Sequence, residues 1–221
     1  MTKNLEDNKL REELVLISKR TNSIGLNQGL SGNLSVRIND GILITPSSVP
    51  YEEMRPKDLV ALDLLGNPLI EGQLKPSSEW QLHLDLMRTR AEVGAVIHCH
   101  SLHATALACQ EKCIPSFHYM TAVAGGNDIR CATYATFGTK EFSGFALEAL
   151  EGRLACLLAH HGQMALGENL KIAFQIAVEV ETLSNMYLKA SLLGDPPVLT
   201  SEQMIEVHNQ FKSMNYGKKA I

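Results

Sequence analysis

The sequence predicts an α/β fold, a sheet covered by helices, and two observations carry that reading. Segments with apolar residues at helical spacing alternate along the whole chain with short runs that are alternating or continuously apolar. Early in the chain, Asn39-Asp40-Gly41 separates two such runs, which is a hairpin signal. The sheet is therefore expected to be mixed and mainly antiparallel.

The elements follow in order. Leu10, Leu14, Ile17, Thr21 and Ile24 recur at helical spacing and predict a first helix from about Asp7 to Ile24, stopped by Gly25. A glycine-rich loop, Gly29-Leu30-Ser31-Gly32-Asn33, comes next. Leu34, Val36 and Ile38 alternate with polar residues, and Ile42-Leu43-Ile44 returns after the turn. Leu59–Leu64 and Pro68–Glu71 predict two more short strands around Gly66-Asn67-Pro68. Ser78 with Gln81 has the spacing of a capping box, so a helix is expected there, burying Trp80, His83, Leu84 and Met87. Val93–His100 and Leu154–His160 are apolar runs expected as buried strands. Leu102–Cys109 and Thr139–Leu150 are expected as helices. Asn169–Leu193 is expected as the longest helix, stopped at Gly194-Asp195-Pro196-Pro197, and Thr200 with Gln203 should box the last one.

Composition bounds the function. A chain of 221 residues is long enough for one sizeable core and short for two, so residues 1–221 are expected to form a single domain. Apolar residues make up 45% and charged residues 20%, the range of soluble globular proteins. No apolar run approaches the length of a membrane span, and the polar start, Met1–Leu10, resembles neither a signal nor a transit peptide. Cys99, Cys109, Cys113, Cys131 and Cys156 include no CxxC pair and are expected as reduced thiols in a cytoplasmic protein. Net charge is −4 with no basic run, so a nucleic-acid partner is set aside.

Three histidines carry the chemistry. His98 and His100 stand two apart in Val96-Ile97-His98-Cys99-His100, and residues i and i+2 of a strand share a face. Two parallel imidazoles at the end of a rigid element suit one metal. The apolar run Leu154–Ala159 ends in His160-His161-Gly162, so either histidine can supply a third imidazole. Three protein ligands and an open position are the catalytic zinc pattern, as opposed to the closed structural one. His83, His103, His118 and His208 are expected as ordinary residues. Glu79 stands in the first turn of the expected helix, where a carboxylate complements the helix dipole. Beside a metal it is also a candidate proton shuttle. Gly32-Asn33, Thr45-Pro46-Ser47-Ser48 and Ser77-Ser78 offer close backbone approach and hydroxyl donors, a candidate phosphate cradle that also reads as turn chemistry. No GxGxxG or Walker A pattern is present.

Together, Gly29-Leu30-Ser31-Gly32-Asn33, Thr45-Pro46-Ser47-Ser48, Pro76-Ser77-Ser78-Glu79-Trp80, His98-Cys99-His100 and His160-His161-Gly162 resemble the zinc-dependent class II sugar-phosphate aldolases, in order and approximate spacing. Gly25-Leu26-Asn27-Gln28-Gly29, Phe117-His118-Tyr119-Met120 and Tyr134-Ala135-Thr136-Phe137-Gly138-Thr139 add to the resemblance, which covers about Leu10 to Tyr216. It implies a three-layer α/β/α sandwich around a mainly antiparallel mixed sheet. It also implies a homotetramer with active sites between subunits. The implied ligands of one zinc (cobalt or manganese being alternatives) are His98, His100 and His161. Glu79 is implied as acid/base, and Gly32, Asn33, Ser47, Ser48, Ser77 and Ser78 as the phosphate site. Tyr119 of a neighbouring subunit is implied as proton donor to the aldehyde oxygen, and Tyr216 as a closing residue. The implied reaction cleaves a ketose 1-phosphate, such as L-fuculose 1-phosphate, to dihydroxyacetone phosphate and an aldehyde through an enediolate. 5-Deoxyribulose 1-phosphate and 5-methylthioribulose 1-phosphate are the alternative substrates. Pentose-phosphate 4-epimerases of the superfamily typically carry Asp where Glu79 stands. Dehydratases share the metal site, and adducin-like binding modules lack the histidines. One departure is Ser48, where fuculose-phosphate aldolase-like sequences tend to carry Gly.

Overall fold

The structure, a computed structural model, describes residues 2–214. The chain runs α1 (Thr2–Ser23), β1 (Asn33–Ile38), β2 (Gly41–Ile44), β3 (Val60–Asp63), α2 (Trp80–Thr89), β4 (Ala95–Cys99) and α3 (Leu102–Ala108). It continues through β5 (Arg130–Ala132), α4 (Lys140–Ala149), β6 (Ala155–Leu158), β7 (Gly162–Gly167), α5 (Leu170–Ser191) and α6 (Ser201–Ser213). The strands form one seven-stranded sheet in the order β3-β2-β1-β4-β7-β6-β5. Every neighbouring pair is antiparallel except β5 with β6. The expected mixed, mainly antiparallel sheet is what forms.

Alternation along the strands builds two cores. On β4, Ala95, Ile97 and Cys99 face one layer, where Leu14 of α1, Ala104 of α3 and Ala173, Ala177 and Val180 of α5 meet them. Val96 faces the other layer with Leu82, Leu86 and Met87 of α2 and Phe142 and Ala146 of α4. A sheet buried on both faces this way is the three-layer α/β/α sandwich.

The differences from the expected elements have local causes. α1 begins earlier than Asp7 because nothing in Thr2–Glu6 breaks a helix, and Ile24 is exposed beyond its end. Pro68–Glu71 forms no strand; it keeps a single bridge, Leu62 to Pro68. Proline has no N–H for a ladder. Instead, the Gln73 side chain closes that stretch of β3, accepting from Ala61 N at 2.9 Å and donating to Ala61 O at 2.8 Å. At α2 the expected capping box is not made. Glu79 occupies the cap position with no side-chain cap bond, and Ser78 is exposed. The box of Thr200 and Gln203 is made at α6. The short strand β5 and the central strand β7 were not expected.

Candidate metal and active site

β7 assembles the site. It pairs with β4 so that Cys99 lies opposite Gln163 and His98 opposite Met164. The turn between β6 and β7 therefore delivers His161 to the end of β4, where His98 and His100 already stand. Gly162 makes this approach sterically allowed: a Cβ there would lie 2.6 Å from Cys99 O and 3.0 Å from His100 Cδ2. The three rings sit edge to face with every pair of centroids 4.8 Å apart. His98 Nε2 and His100 Nε2 are 3.0 Å apart, and one nitrogen from each of the three histidines lies within 4.8 Å of the others.

The surroundings fix each ligand. His98 Nδ1 lies 2.9 Å from Gln163 O, so it donates there and leaves its Nε2 lone pair facing its neighbours. The Gln163 side chain donates to Ser101 Oγ and to Ala177 O. His100 N donates to Asn27 Oδ1 at 3.1 Å, and the Asn27 amide also bonds Ser31 O. The glycine loop is thereby tied to His100. Glu181 of α5 accepts from the backbone N–H groups of His103 and Ala104 at 3.0 Å each, anchoring α3 just after His100. Phe142 stacks on His161 with centroids 5.1 Å apart.

Glu79 faces this cluster. Its Oε2 is 3.3 Å from His98 Nε2 and its Oε1 3.1 Å from His161 Nε2. The second approach lacks hydrogen-bond geometry, and Oε1 is buried without a hydrogen-bond partner. Asn33 Nδ2 donates to Oε2 at 2.7 Å. Burial works to raise the Glu79 pKa, but His98, His161 and the Asn33 N–H outweigh it and hold the group well below the usual carboxylate range. Burial lowers His98 against the opposing pull of Glu79, and burial with the neighbouring rings lowers His100 to about 3. Neutral imidazoles are the form that binds a metal. Converging imidazole nitrogens, a carboxylate alongside and an orphaned buried oxygen together fit a divalent cation.

Residues 12–188 match the family model described as Class II Aldolase and Adducin N-terminal domain. The chain belongs to that family. It is 49% identical over 211 residues to the 5-methylthioribulose-1-phosphate/5-deoxyribulose-1-phosphate aldolase of Rhodospirillum rubrum, covering 96% of this chain and 94% of the relative. It is 44% identical over 214 residues to the L-fuculose phosphate aldolase of Escherichia coli K12, covering 96% and 98%. A solved L-fuculose 1-phosphate aldolase superposes with a TM-score of 0.89 at 43% identity, over 92% of this chain and 96% of that one. The protein is a class II aldolase, a carbon–carbon lyase.

In this class II aldolase, β-like pairing of two loops gathers the serines. Ser47 N donates to Lys75 O at 3.0 Å and Ser77 N to Thr45 O at 3.1 Å, zipping 45–47 against 75–77. Ser47, Ser48 and Ser78 are exposed and Ser77 is buried. Gly32 has φ +75°, and a Cβ there would lie 2.7 Å from both Asn27 Nδ2 and His98 O. Ser48 has φ +61°, a left-handed conformation that explains why Gly is favoured there. Replacing Ser48 by Gly is expected to stabilise the fold by at most about 1 kcal/mol, strain relief being offset by chain entropy. A chemical-denaturation midpoint that falls would overturn that expectation.

Of the two adjacent histidines, His161 joins the cluster; His160 has φ +54° and turns to Glu111, 3.1 Å away. His83, His103, His118 and His208 stay outside it, bonded to Ser35 and Asn33, to Glu181, to Met120 N and to Asn127 respectively. Tyr119 is half exposed, with its ring against His118 at 4.7 Å and Phe211 at 6.3 Å. Tyr216 lies outside the described residues. Asn27, Gln163 and Ser35 carried no motif of their own and escaped the sequence reading; Asn27 lay inside a matched segment without an assigned part. No helix among the described residues is long and apolar enough to cross a membrane, and all five cysteines are free thiols.

Proposed function

We propose that this aldolase cleaves a ketose 1-phosphate to dihydroxyacetone phosphate and a short aldehyde, with zinc as its metal. The observation that carries this is the Glu79 carboxylate held against two of three converging imidazoles. His98, His100 and His161 hold the metal, which supplies Lewis-acid stabilisation for negative charge developing on the substrate oxygens.

The chain's own residues do the rest. Asn33 donates one amide hydrogen to Glu79 and retains a second for substrate. Gly32, Asn33, Ser47, Ser48, Ser77 and Ser78 grip the phosphate, an assignment supported by the pairing of the two serine loops. The grip anchors the ketose so that its C3 lies beside Glu79. During cleavage the C4 hydroxyl gives its proton to the Tyr119 oxygen, the C3–C4 bond breaks, and Glu79, carrying a proton, gives it to C3; passage of the Tyr119 proton to Glu79 through solvent closes the cycle, so that one proton moves net from O4 to C3. In the reverse direction Glu79 removes that proton. In that reverse direction Tyr119, from a neighbouring subunit of a homotetramer, delivers the proton to the aldehyde oxygen. Its half exposure supports that reading. The protein works in the cytoplasm.

L-Fuculose 1-phosphate is the first substrate reading. The Rhodospirillum rubrum relative, 49% identical, favours a second: 5-deoxyribulose or 5-methylthioribulose 1-phosphate. A coupled assay for dihydroxyacetone phosphate on all three ketoses, with and without chelator, tests both. Chelator-sensitive triose phosphate is expected, and the ranking of kcat/KM names the substrate. No triose phosphate from metal-loaded protein on any of the three would overturn the proposal.

A further inference from the structure

Behind Glu79 runs a buried chain of polar groups that the metal site does not use. Glu79 and His83 stand four apart at the start of α2, on one helix face. Asn33 and Ser35 stand two apart on β1, on one strand face. The two pairs meet. Ser35 Oγ is 2.6 Å from His83 Nδ1, His83 Nε2 is 2.5 Å from Asn33 Oδ1, and Asn33 Nδ2 is 2.7 Å from Glu79 Oε2. All four residues are buried, His83 and Ser35 completely.

Only one direction of hydrogen bonding satisfies this chain. An ionised carboxylate only accepts, so Asn33 must present its NH2 to Glu79. Its Oδ1 then faces His83 and can only accept, so the ring proton sits on Nε2. Burial keeps the ring neutral, lowering its pKa to about 3, so Nδ1 carries the lone pair and Ser35 donates to it. Every donor points toward Glu79.

We propose that His83 is a positioning residue for the aldolase reaction: through Asn33 it holds the Glu79 carboxylate in one orientation beside the metal histidines. Without the Nε2–H, the buried Asn33 oxygen loses its donor, and the amide is no longer held at the angle that aims its N–H at Glu79 Oε2. This inference rests on the reading of Glu79 as the proton carrier.

The test is a set of variants of the metal-loaded enzyme, measured for turnover, metal content and exchange of the C3 proton of dihydroxyacetone phosphate with solvent deuterium. His83→Met fills the space but removes the donor. It is expected to lower kcat and the exchange rate about 10- to 100-fold, the scale of a misplaced reacting group, with metal content unchanged. His83→Gln, whose amide reaches the same oxygen, is expected to restore most of the rate. In a Glu79→Gln background, His83→Met is expected to add no further loss, because it acts through Glu79. A merely structural histidine would give additive losses and shed metal. Wild-type turnover in His83→Met, or an additive loss in the double variant, overturns the proposal. If His83→Met does not fold, Ser35→Ala, which frees the ring to adopt the other tautomer, is expected to show the same pattern more weakly; unchanged exchange would overturn the proposal. Wild-type turnover in Glu79→Gln alone would overturn the Glu79 reading itself, and this inference with it.

Discussion

Glu79→Gln is expected to lower turnover at least about a hundredfold, the low end for general acid–base catalysis, while the protein keeps its full complement of metal. Glutamine has the same shape, and its oxygen can still accept the Asn33 N–H that now reaches Oε2 at 2.7 Å. What it loses is the capacity to take up and return a proton. The carboxylate is 6% exposed and pressed between His98 and His161, so no solvent group stands ready to replace it. Steady-state kinetics beside metal analysis separates the outcomes. Unchanged turnover would leave Glu79 as the cap residue of α2 and nothing more.

His100→Ala is expected to remove metal and activity together. With a metal binding free energy on the order of 10 kcal/mol shared by three ligands, losing one costs roughly 3 kcal/mol, or more than a hundredfold in affinity. His100 is the better choice than His98. The latter is 1% exposed and donates to Gln163 O, so its removal would also leave a hole and an unpaired carbonyl in the core. His100 stands just beyond β4, and its backbone bond to Asn27 survives the change. Retention of stoichiometric metal with full turnover would sink the ligand assignment.

Much of this was legible in the sequence because it is local. The β1–β2 hairpin announced itself through alternation and Asn39-Asp40-Gly41, and α5 through its length and its Asn169 cap. His98 and His100 shared a face by strand periodicity alone. What stayed illegible depends on pairing between distant segments. β7 begins and ends in glycine, residues that usually mark turns, so its central place was hidden. With it went the choice between His160 and His161, which the residues alone left open and only the resemblance decided. Ser78 and Gln81 had the spacing of a capping box, yet Glu79 took the cap position and turned its carboxylate to the histidines. Local preference gave way there to the demands of a site. The Ser35–His83–Asn33 chain joins β1 to α2 and has no spacing signature.

The β4–β7 pairing has a consequence for how the protein is made. Two imidazoles come from one strand end, while the third arrives from far along the chain, only after β7 has docked between β4 and β6. An unfolded chain brings no such trio together, so the metal discriminates strongly between native and denatured states. Metal at a hundred times its dissociation constant then stabilises the fold by about 2.7 kcal/mol. Assembly of the ligand trio waits on long-range closure, which is slow relative to helix formation. Metal uptake during refolding is therefore expected to report the late docking of the central strands, not the early helices.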